Sequence, residues 1–185
     1  SISFGKQELK LTGSSAPINA TFTNDFVAIP ESVPFRPERS TRRPRIVGPI
    51  HAFVDAAGTG QTAEIDDLGR YKVTIPFDLA GVPGGKASKW IRMAQPYAGP
   101  GYGMHSPLHK STEVVLTHMN GDPDRPLIAG GVFNAVQTDV VTSQNPTQCI
   151  WRSAGLNEIR FDDLSGSEDL FIHAQKNWTI QVLGS

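Results

Sequence analysis

Two histidines, His105 and His109, stand four residues apart in the sequence GMHSPLHK. On an α-helix this spacing would place both imidazoles on one face, where they could bind a metal ion such as zinc. Pro107 lies between them and the flanking residues have strand character, so a shared helical face is not expected. The sequence favours histidines in a structural loop, and no metal site is predicted.

A second place for chemistry is GDPDRP, where Asp122 and Asp124 could hold a cation or act as an acid/base pair. The same sequence suits a tight turn between strands, because Gly allows positive φ, Asp bonds nearby backbone and Pro fixes φ. The turn is the favoured interpretation. Asp66-Asp67 and Asp162-Asp163 are poor acid/base pairs, since neighbours on a strand point to opposite faces.

Gly99, Gly101 and Gly103 share only their composition with a phosphate-binding loop, because no Lys-Ser/Thr follows and no helix N-terminus is predicted there. A turn is favoured. Nucleophilic catalysis has no motif either: the chain lacks G-x-S-x-G, and its single cysteine, Cys149, has no evident histidine partner. We predict no catalytic, metal-binding or cofactor-binding residues and no enzyme, since a hydrolase would rest only on Asp and His content.

The basic residues cluster in a proline-rich stretch, at Arg36, Arg39, Arg42, Arg43 and Arg45. They could hold phosphates, but a solvated connector, or one that pairs with an acidic neighbouring subunit, is the favoured interpretation. The formal net charge of −1 does not require nucleic acid or an anionic membrane as a partner. No signal peptide is recognised, and no apolar stretch approaches the roughly 20 residues that span a bilayer.

The candidate residues lie in or between short strand-like segments. The 18 glycines and 14 prolines interrupt any helical period, so the sequence predicts strands and turns. Five strands are predicted at residues 45–54, 70–77, 89–94, 113–119 and 127–133. Because no helical crossover separates them, they favour a small antiparallel barrel, of which the five-stranded OB-fold is the obvious member.

The predicted barrel occupies residues 41–135. Before it, residues 1–40 are expected to contain two strands, at 8–12 and 20–29, and a proline-rich linker. The strands have too little apolar surface for a core of their own.

After the barrel, residues 136–156 are polar, lack periodicity and are predicted to form a connector. From residue 157 to residue 185 three strand-like segments are predicted: apolar and polar residues alternate in the first and the third, and residues 170–174 form the second. Three such strands cannot enclose a core, so a partner is expected to cover them. The sequence stops in mid-pattern, which predicts a truncated repetitive β-structure.

Eight sequences occur in a particular order along the chain: FTNDFVAIPESVPFRP, PRIVGPIHAFV, DLGRYKVTI, WIRMAQP, GPGYGMH, GDPDRP, NEIRFDD and DLFIHA. Taken together, they resemble VgrG, the spike protein family of the type VI secretion system, and the resemblance covers about residues 22–183. VgrG proteins in turn resemble the hub and needle proteins of contractile phage tails. Almost all of the family's hub and most of its needle are absent from this sequence.

The resemblance implies an all-β chain with a five-stranded antiparallel OB-fold barrel, followed by the start of a trimeric β-helix or β-prism. It implies that residues 1–40 end a hub-like region and that residues 157–185 begin a needle. The expected trimer interface consists of Ile159, Phe161, Leu170, Phe171, Ile172, Trp178 and Ile180. Which strand face points to the trimer axis is left open by the sequence.

The implied function is structural: a homotrimeric spike that pierces target membranes and carries effector proteins. The implied partners are the tube-forming ring protein Hcp, a PAAR tip protein and effectors, with no cofactor and no nucleic acid. The protein would lie in the cytoplasm before firing and would then be secreted by the type VI machine.

The alternative function is an OB-fold binding module for single-stranded nucleic acid or an oligosaccharide. Such modules present aromatic side chains in a basic groove. The candidate platforms are Tyr71, Trp90, Tyr97 and Tyr102. The net acidic composition of the barrel region argues against nucleic acid.

Overall fold

The computed structural model describes residues 3–10, 21–82 and 84–184, and these residues form an all-β fold. Within those ranges the only helical element is a short 3-10 helix, Met119–Gly121. The prediction of strands and turns without a sustained helix is therefore confirmed. The chain divides into two compact units, Ser1–Arg43 and Pro44–Ser185.

The first unit contains one antiparallel hairpin, β1 (Ser3–Lys10) paired with β2 (Thr21–Ala28). The predicted strand at 20–29 corresponds to β2. The one predicted at 8–12 overlaps the end of β1, and its residues 11 and 12 lie outside the described part of the chain. Residues 30–43 form no strand, in keeping with prolines that cannot donate to a ladder.

The second unit begins with a four-stranded antiparallel sheet in the order β4-β3-β7-β8. Its strands are β3 (Ile50–Asp55), β4 (Lys72–Thr74), β7 (Glu113–His118) and β8 (Pro126–Gly131). Between β4 and β7 in the sequence, two strands of two residues each, β5 (Ala98–Gly99) and β6 (Tyr102–Gly103), form a short antiparallel hairpin. Four of the five predicted barrel strands are thus present, with shorter bounds.

The fifth predicted strand, residues 89–94, does not form a continuous ladder. Instead, Ile91 makes a single antiparallel bridge to Tyr71, and Met93 makes a single parallel bridge to Ile128. The segment therefore joins the β4 side of the sheet to β8, but it changes partner after two residues. The predicted five-stranded barrel is therefore not closed by continuous ladders: its fifth segment is joined to the sheet edges by isolated bridges.

The core lies on the inner face of this sheet. Alternate residues of each strand point inward, as the two-residue period of a strand requires, which explains the pairs Tyr71/Val73 and Val114/Leu116. The buried cluster is Ala52, Val54, Ala63, Tyr71, Val73, Ile91, Val114, Leu116 and Ile128. Each large side chain that is fully buried contributes about 1.5–3 kcal/mol to stability.

One buried carboxylate ties a loop to this core. Asp55 is only 8% exposed, and its Oδ2 accepts the backbone N–H groups of Gly85 at 2.8 Å and Ala87 at 3.2 Å. Gly85 has φ +78°, and a Cβ there would lie 2.8 Å from the backbone nitrogen of Ala57. The close approach and the positive φ together require glycine at this position.

A second sheet follows the barrel, with three antiparallel strands in the order β11-β10-β9. They are β9 (Gln148–Arg152), β10 (Glu158–Asp162) and β11 (Asp169–His173). Residues 136–156 were predicted to form a connector without periodicity, but they contain the strand β9. Conversely, the alternating residues 178–182 form no strand in this structure.

Candidate oligomerisation surface

The two faces of the C-terminal sheet differ sharply in chemistry. Residues directly opposite each other in an antiparallel ladder share a face, and faces alternate along each strand. The pairing aligns Trp151, Ile159 and Ile172 in one row and Cys149, Phe161 and Leu170 in another row of the same face. We call these six side chains the apolar face.

The apolar face is open in the single chain. Trp151 is 58% exposed, Phe161 48%, Leu170 57% and Ile172 43%. A contiguous group of large apolar side chains left uncovered on a small sheet marks a surface for contact with another molecule. In the part of the chain that the structure describes, these three strands form a single layer with no further strand paired to its edges.

The opposite face carries charged side chains that form ion pairs with one another, although Nε of Arg160 has no hydrogen-bond partner among the described residues. Glu158 is 8% exposed and accepts a short hydrogen bond from Nε of Arg152. Its Oε1 lies 3.5 Å from Nη1 of Arg160, and the Arg160 guanidinium lies 4.6 Å from the centre of the Phe171 ring. The His173 ring stacks on the Phe171 ring, with the ring centres 5.9 Å apart.

The hydrogen bond from Arg152 is the largest of the effects that hold the pKa of Glu158 below its usual range, with the charges of Arg152, Arg160 and His173 adding to it against desolvation. The Asp162 pKa is lowered in the same way by hydrogen bonds from Gln148 and Thr147. Both groups therefore favour the ionised state in the folded chain.

We expect Glu158→Gln to lower stability at neutral pH and to have a smaller effect in acid. The pKa of Glu158 is lower in the folded chain than in the unfolded chain, so the ionised carboxylate stabilises the fold at every pH above its unfolded-state pKa. This stabilisation is lost as the pH falls through the folded-state pKa. Thermal unfolding at pH 7 and at about pH 3, in wild type and variant, measures the difference. A variant equally destabilised at both pH values would contradict the assignment.

The predicted interface residues separate into three groups. Ile159, Phe161, Leu170 and Ile172 share the apolar face, as described above. Phe171 lies on the charged face, so the structure does not bring it together with the other four. Trp178 and Ile180 are exposed on the strandless segment after β11.

Two residues of the apolar face were missed. The apolar Ile150 lies between Cys149 and Trp151, and the polar sequence TSQNPTQ precedes them, so the sequence shows no two-residue period at these positions. Only the pairing of β9 with β10 shows that they continue the rows of Ile159 and Phe161.

His105 is held by a buried tyrosine. The backbone N–H of Leu108 donates to Tyr71 Oη at 3.2 Å, and Tyr71 Oη shares a hydrogen bond of 2.8 Å with His105 Nε2. Burial raises the pKa of Tyr71, so the phenol stays neutral. His109 contributes a backbone bridge to Thr62. Both histidines thus belong to a structured loop, as predicted.

Tyr71→Phe is expected to destabilise the barrel by about 1–3 kcal/mol, because the N–H of Leu108 and the ring of His105 lose a buried partner. Urea unfolding of the variant measures the loss, and Tyr97→Phe, at an exposed tyrosine, is the matched control. Equal stability of both variants would show that the hydroxyl is not needed.

The acidic and glycine-rich sequences form turns. Asp122 Oδ1 accepts the N–H of Asp124 at 3.0 Å, and its backbone oxygen accepts that of Arg125 at 3.0 Å. In the β5–β6 hairpin Gly101 has φ +78°, and a Cβ on Gly99 would lie 2.2 Å from the Tyr102 ring. Both turn interpretations are confirmed.

The aromatic platform of the alternative function is reduced by the structure. Tyr71 is fully buried in the core, and the ring of Trp90 carries the Lys72 ammonium 4.4 Å from its centre. Tyr97 and Tyr102 remain exposed, with ring centres 5.3 Å apart. Of the four proposed stacking residues, Tyr71 is therefore closed to a ligand and Trp90 has one ring face occupied by Lys72.

Sequence comparisons agree with the division into a barrel and a self-associating sheet. The family described as the type VI secretion system/phage-baseplate injector OB domain matches residues 59–133. The family described as the bacteriophage T4 gp5 C-terminal trimerisation domain matches residues 142–184, which include all of the apolar face. The class is thus an OB-domain protein with a trimerisation module.

Curated relatives specify the family. The chain is 34% identical to the type VI secretion system spike protein VgrG3 of Vibrio cholerae over 93% of its own length and 17% of that protein. It is 36% identical to the spike protein VgrG1b of Pseudomonas aeruginosa, over 95% of this chain and 25% of the relative. The actin cross-linking toxin VgrG1 of V. cholerae is 31% identical over 94% of the chain.

The chain belongs to the VgrG family of type VI secretion system spike proteins. It spans a quarter or less of the length of the curated relatives it matches.

No helix among the described residues is both long enough and apolar enough to cross a membrane.

Proposed function

We propose that three copies of this chain form the OB barrels and the base of the needle in a cell-puncturing type VI spike. The apolar face of the C-terminal sheet carries the proposal, because five of its six side chains are exposed and the sixth, Ile159, is half-buried, while the opposite face carries ion pairs within the chain. With the apolar face turned to a three-fold axis, three copies would bury it and leave the charged face in water.

The proposed action is mechanical. Force applied to the spike would pass along β-structure whose backbone groups are paired and whose core is shared among chains. Burial of each large side chain on the axis contributes about 1.5–3 kcal/mol, and every contact is repeated three times. No single copy could then yield without exposing the apolar faces of the other two.

The proposed domains are the end of a hub-like region and a linker at residues 1–40, the barrel at residues 41–135, a connector, and the needle. The position of β9 supports a needle that begins near residue 148 rather than residue 157. The proposed interface is the apolar face together with Trp178 and Ile180. Phe171 is retained only as the support of Arg160.

We further propose that the assembled spike contacts the tube-forming protein Hcp, a PAAR tip protein and effectors, and that it binds no nucleic acid. A relative named as an actin cross-linking toxin supports effector delivery. The chain itself is proposed to be non-enzymatic, because His105, Asp122, Glu158 and Asp162 all hold backbone or partner side chains in the fold. The protein would act from the cytoplasm and leave through the type VI machine.

Light scattering of the purified chain across a range of concentrations tests the proposal. A mass of three chains that falls toward one on dilution, or stays at three, is the expected result. A single-chain mass at every concentration would overturn the proposed assembly by this chain.

A further inference from the structure

A groove of about 690 Å³ lies where the barrel meets the C-terminal sheet. The barrel side consists of the loop 105–109. The sheet side includes the row Trp151, Ile159 and Ile172, which is also the first row of the apolar face. It is completed by the turn 153–157 and by the charged or polar side chains of Arg152, Glu158 and His173. The groove is therefore continuous with the surface on which the proposed trimer is built.

The barrel wall of the groove is held in place by the core. The hydroxyl of Tyr71 forms hydrogen bonds with the His105 side chain and with the backbone N–H of Leu108, both in the loop 105–109. Directly after the loop, the backbone N–H of Lys110 donates to the backbone oxygen of Gln61 at 2.7 Å. A wall fixed in this way is formed before any ligand arrives, which lowers the entropy cost of binding.

The segment 176–184 has the pattern of a strand but no partner. Trp178, Ile180 and Val182 alternate with polar residues, and all three are exposed. Within the described part of the chain no hydrogen bond joins residues 176–184 to another segment. Its unpaired backbone and apolar edge are suited to adding to an exposed surface of a neighbouring chain.

The segment begins beside the groove and does not enter it. The N–H of Gln175 donates to Asn157 Oδ1 at 2.9 Å, and Asn157 lines the groove. From there the chain leaves with Trp178 and Ile180 exposed. Nine extended residues reach about 30 Å, enough to cross to an adjacent copy around a common axis.

We propose that the groove between loop 105–109 and the first row of the apolar face receives the segment 176–184 of a second copy. The barrel, and not only the sheet, would then hold neighbouring copies together. This inference rests on the proposed homotrimer. Beyond that homotrimer, it specifies the contact between two copies: the loop 105–109 on the barrel of one and the segment 176–184 of the other.

Disulfide capture tests the inference in the full chain with Cys149 replaced by Ser. One tagged chain carries Ser106→Cys, at an exposed position that lines the groove. A second chain with a different tag carries Thr179→Cys or Gln181→Cys, and the two are produced together and oxidised. Ser165→Cys, at an exposed turn between β10 and β11, replaces Ser106→Cys in the matched control.

The expected result is a reducible dimer that contains both tags with Ser106→Cys and none with Ser165→Cys, since a disulfide requires Cα atoms within about 7 Å. A trimer by light scattering that gives no such dimer would overturn the inference and leave the proposed function standing. A further variant carries Ser106→Cys and Thr179→Cys in the same chain. A disulfide within that chain, without disulfides between copies, would overturn the inference, because it would show that the segment fills the groove of its own chain. A single-chain mass in solution would refute both proposals.

Discussion

Phe161→Asp is expected to convert the trimer into single chains. Phe161 lies in the middle of the apolar face and is about half exposed in one copy, so the substitution removes little from the fold of that copy. In the trimer it would remove about 1.5–3 kcal/mol of burial per chain and place three carboxylates near one axis. Desolvation and mutual repulsion both oppose that arrangement, so the dissociation constant should rise at least about 1000-fold.

Phe171→Asp is the matched control, because it makes the same substitution on the neighbouring strand but on the opposite face. The new carboxylate would lie beside the Arg160 guanidinium, which already packs on this ring. We expect this variant to remain trimeric. Light scattering distinguishes the two, and a trimer that survives Phe161→Asp but not Phe171→Asp would show that the charged face points to the axis.

The sequence predicted which segments are strands better than it predicted how they pair. The alternation in EIRFD is visible in the sequence, whereas Leu170, Phe171 and Ile172 are consecutive apolar residues, so the sequence alone does not place Phe161 and Phe171 on different faces. The difference between them is a matter of register: pairing sets Phe161 opposite Leu170 and Phe171 opposite Arg160. Register depends on long-range contacts and turn geometry, so local periodicity cannot supply it.

The barrel shows the same limit in a different form. Ile91 and Met93 have the alternation of a strand, yet each pairs with a different neighbour through one bridge. Likewise, the sequence alone fits Tyr71 either as an exposed aromatic platform or as a core residue. In the structure it is buried in the core, because it pairs with Ile91 and is covered by the loop 105–109.

Removal of residues 148–185 is expected to leave a folded barrel that no longer associates. All nine members of the buried cluster lie between Ala52 and Ile128, so the barrel core takes no side chain from the C-terminal sheet. The connector is anchored to the barrel, since Asn134 Nδ2 donates to Glu113 Oε2 at 2.8 Å and Gln137 Nε2 donates to the backbone oxygen of Ser111 at 2.9 Å. These hydrogen bonds between the connector and the barrel therefore remain when β9 is removed.

A truncation at residue 157 makes the more informative comparison. It would leave Cys149, Trp151 and the unpaired edge of β9 on the barrel, without the β10 rows that align them, and an exposed apolar edge of this kind favours aggregation. We expect the chain that ends at residue 147 to be monodisperse with a strand-type circular dichroism spectrum, and the one that ends at residue 156 to be less soluble. If the shorter chain unfolds, the barrel needs the sheet for its stability. If it remains trimeric, the barrel rather than the apolar face holds the copies together.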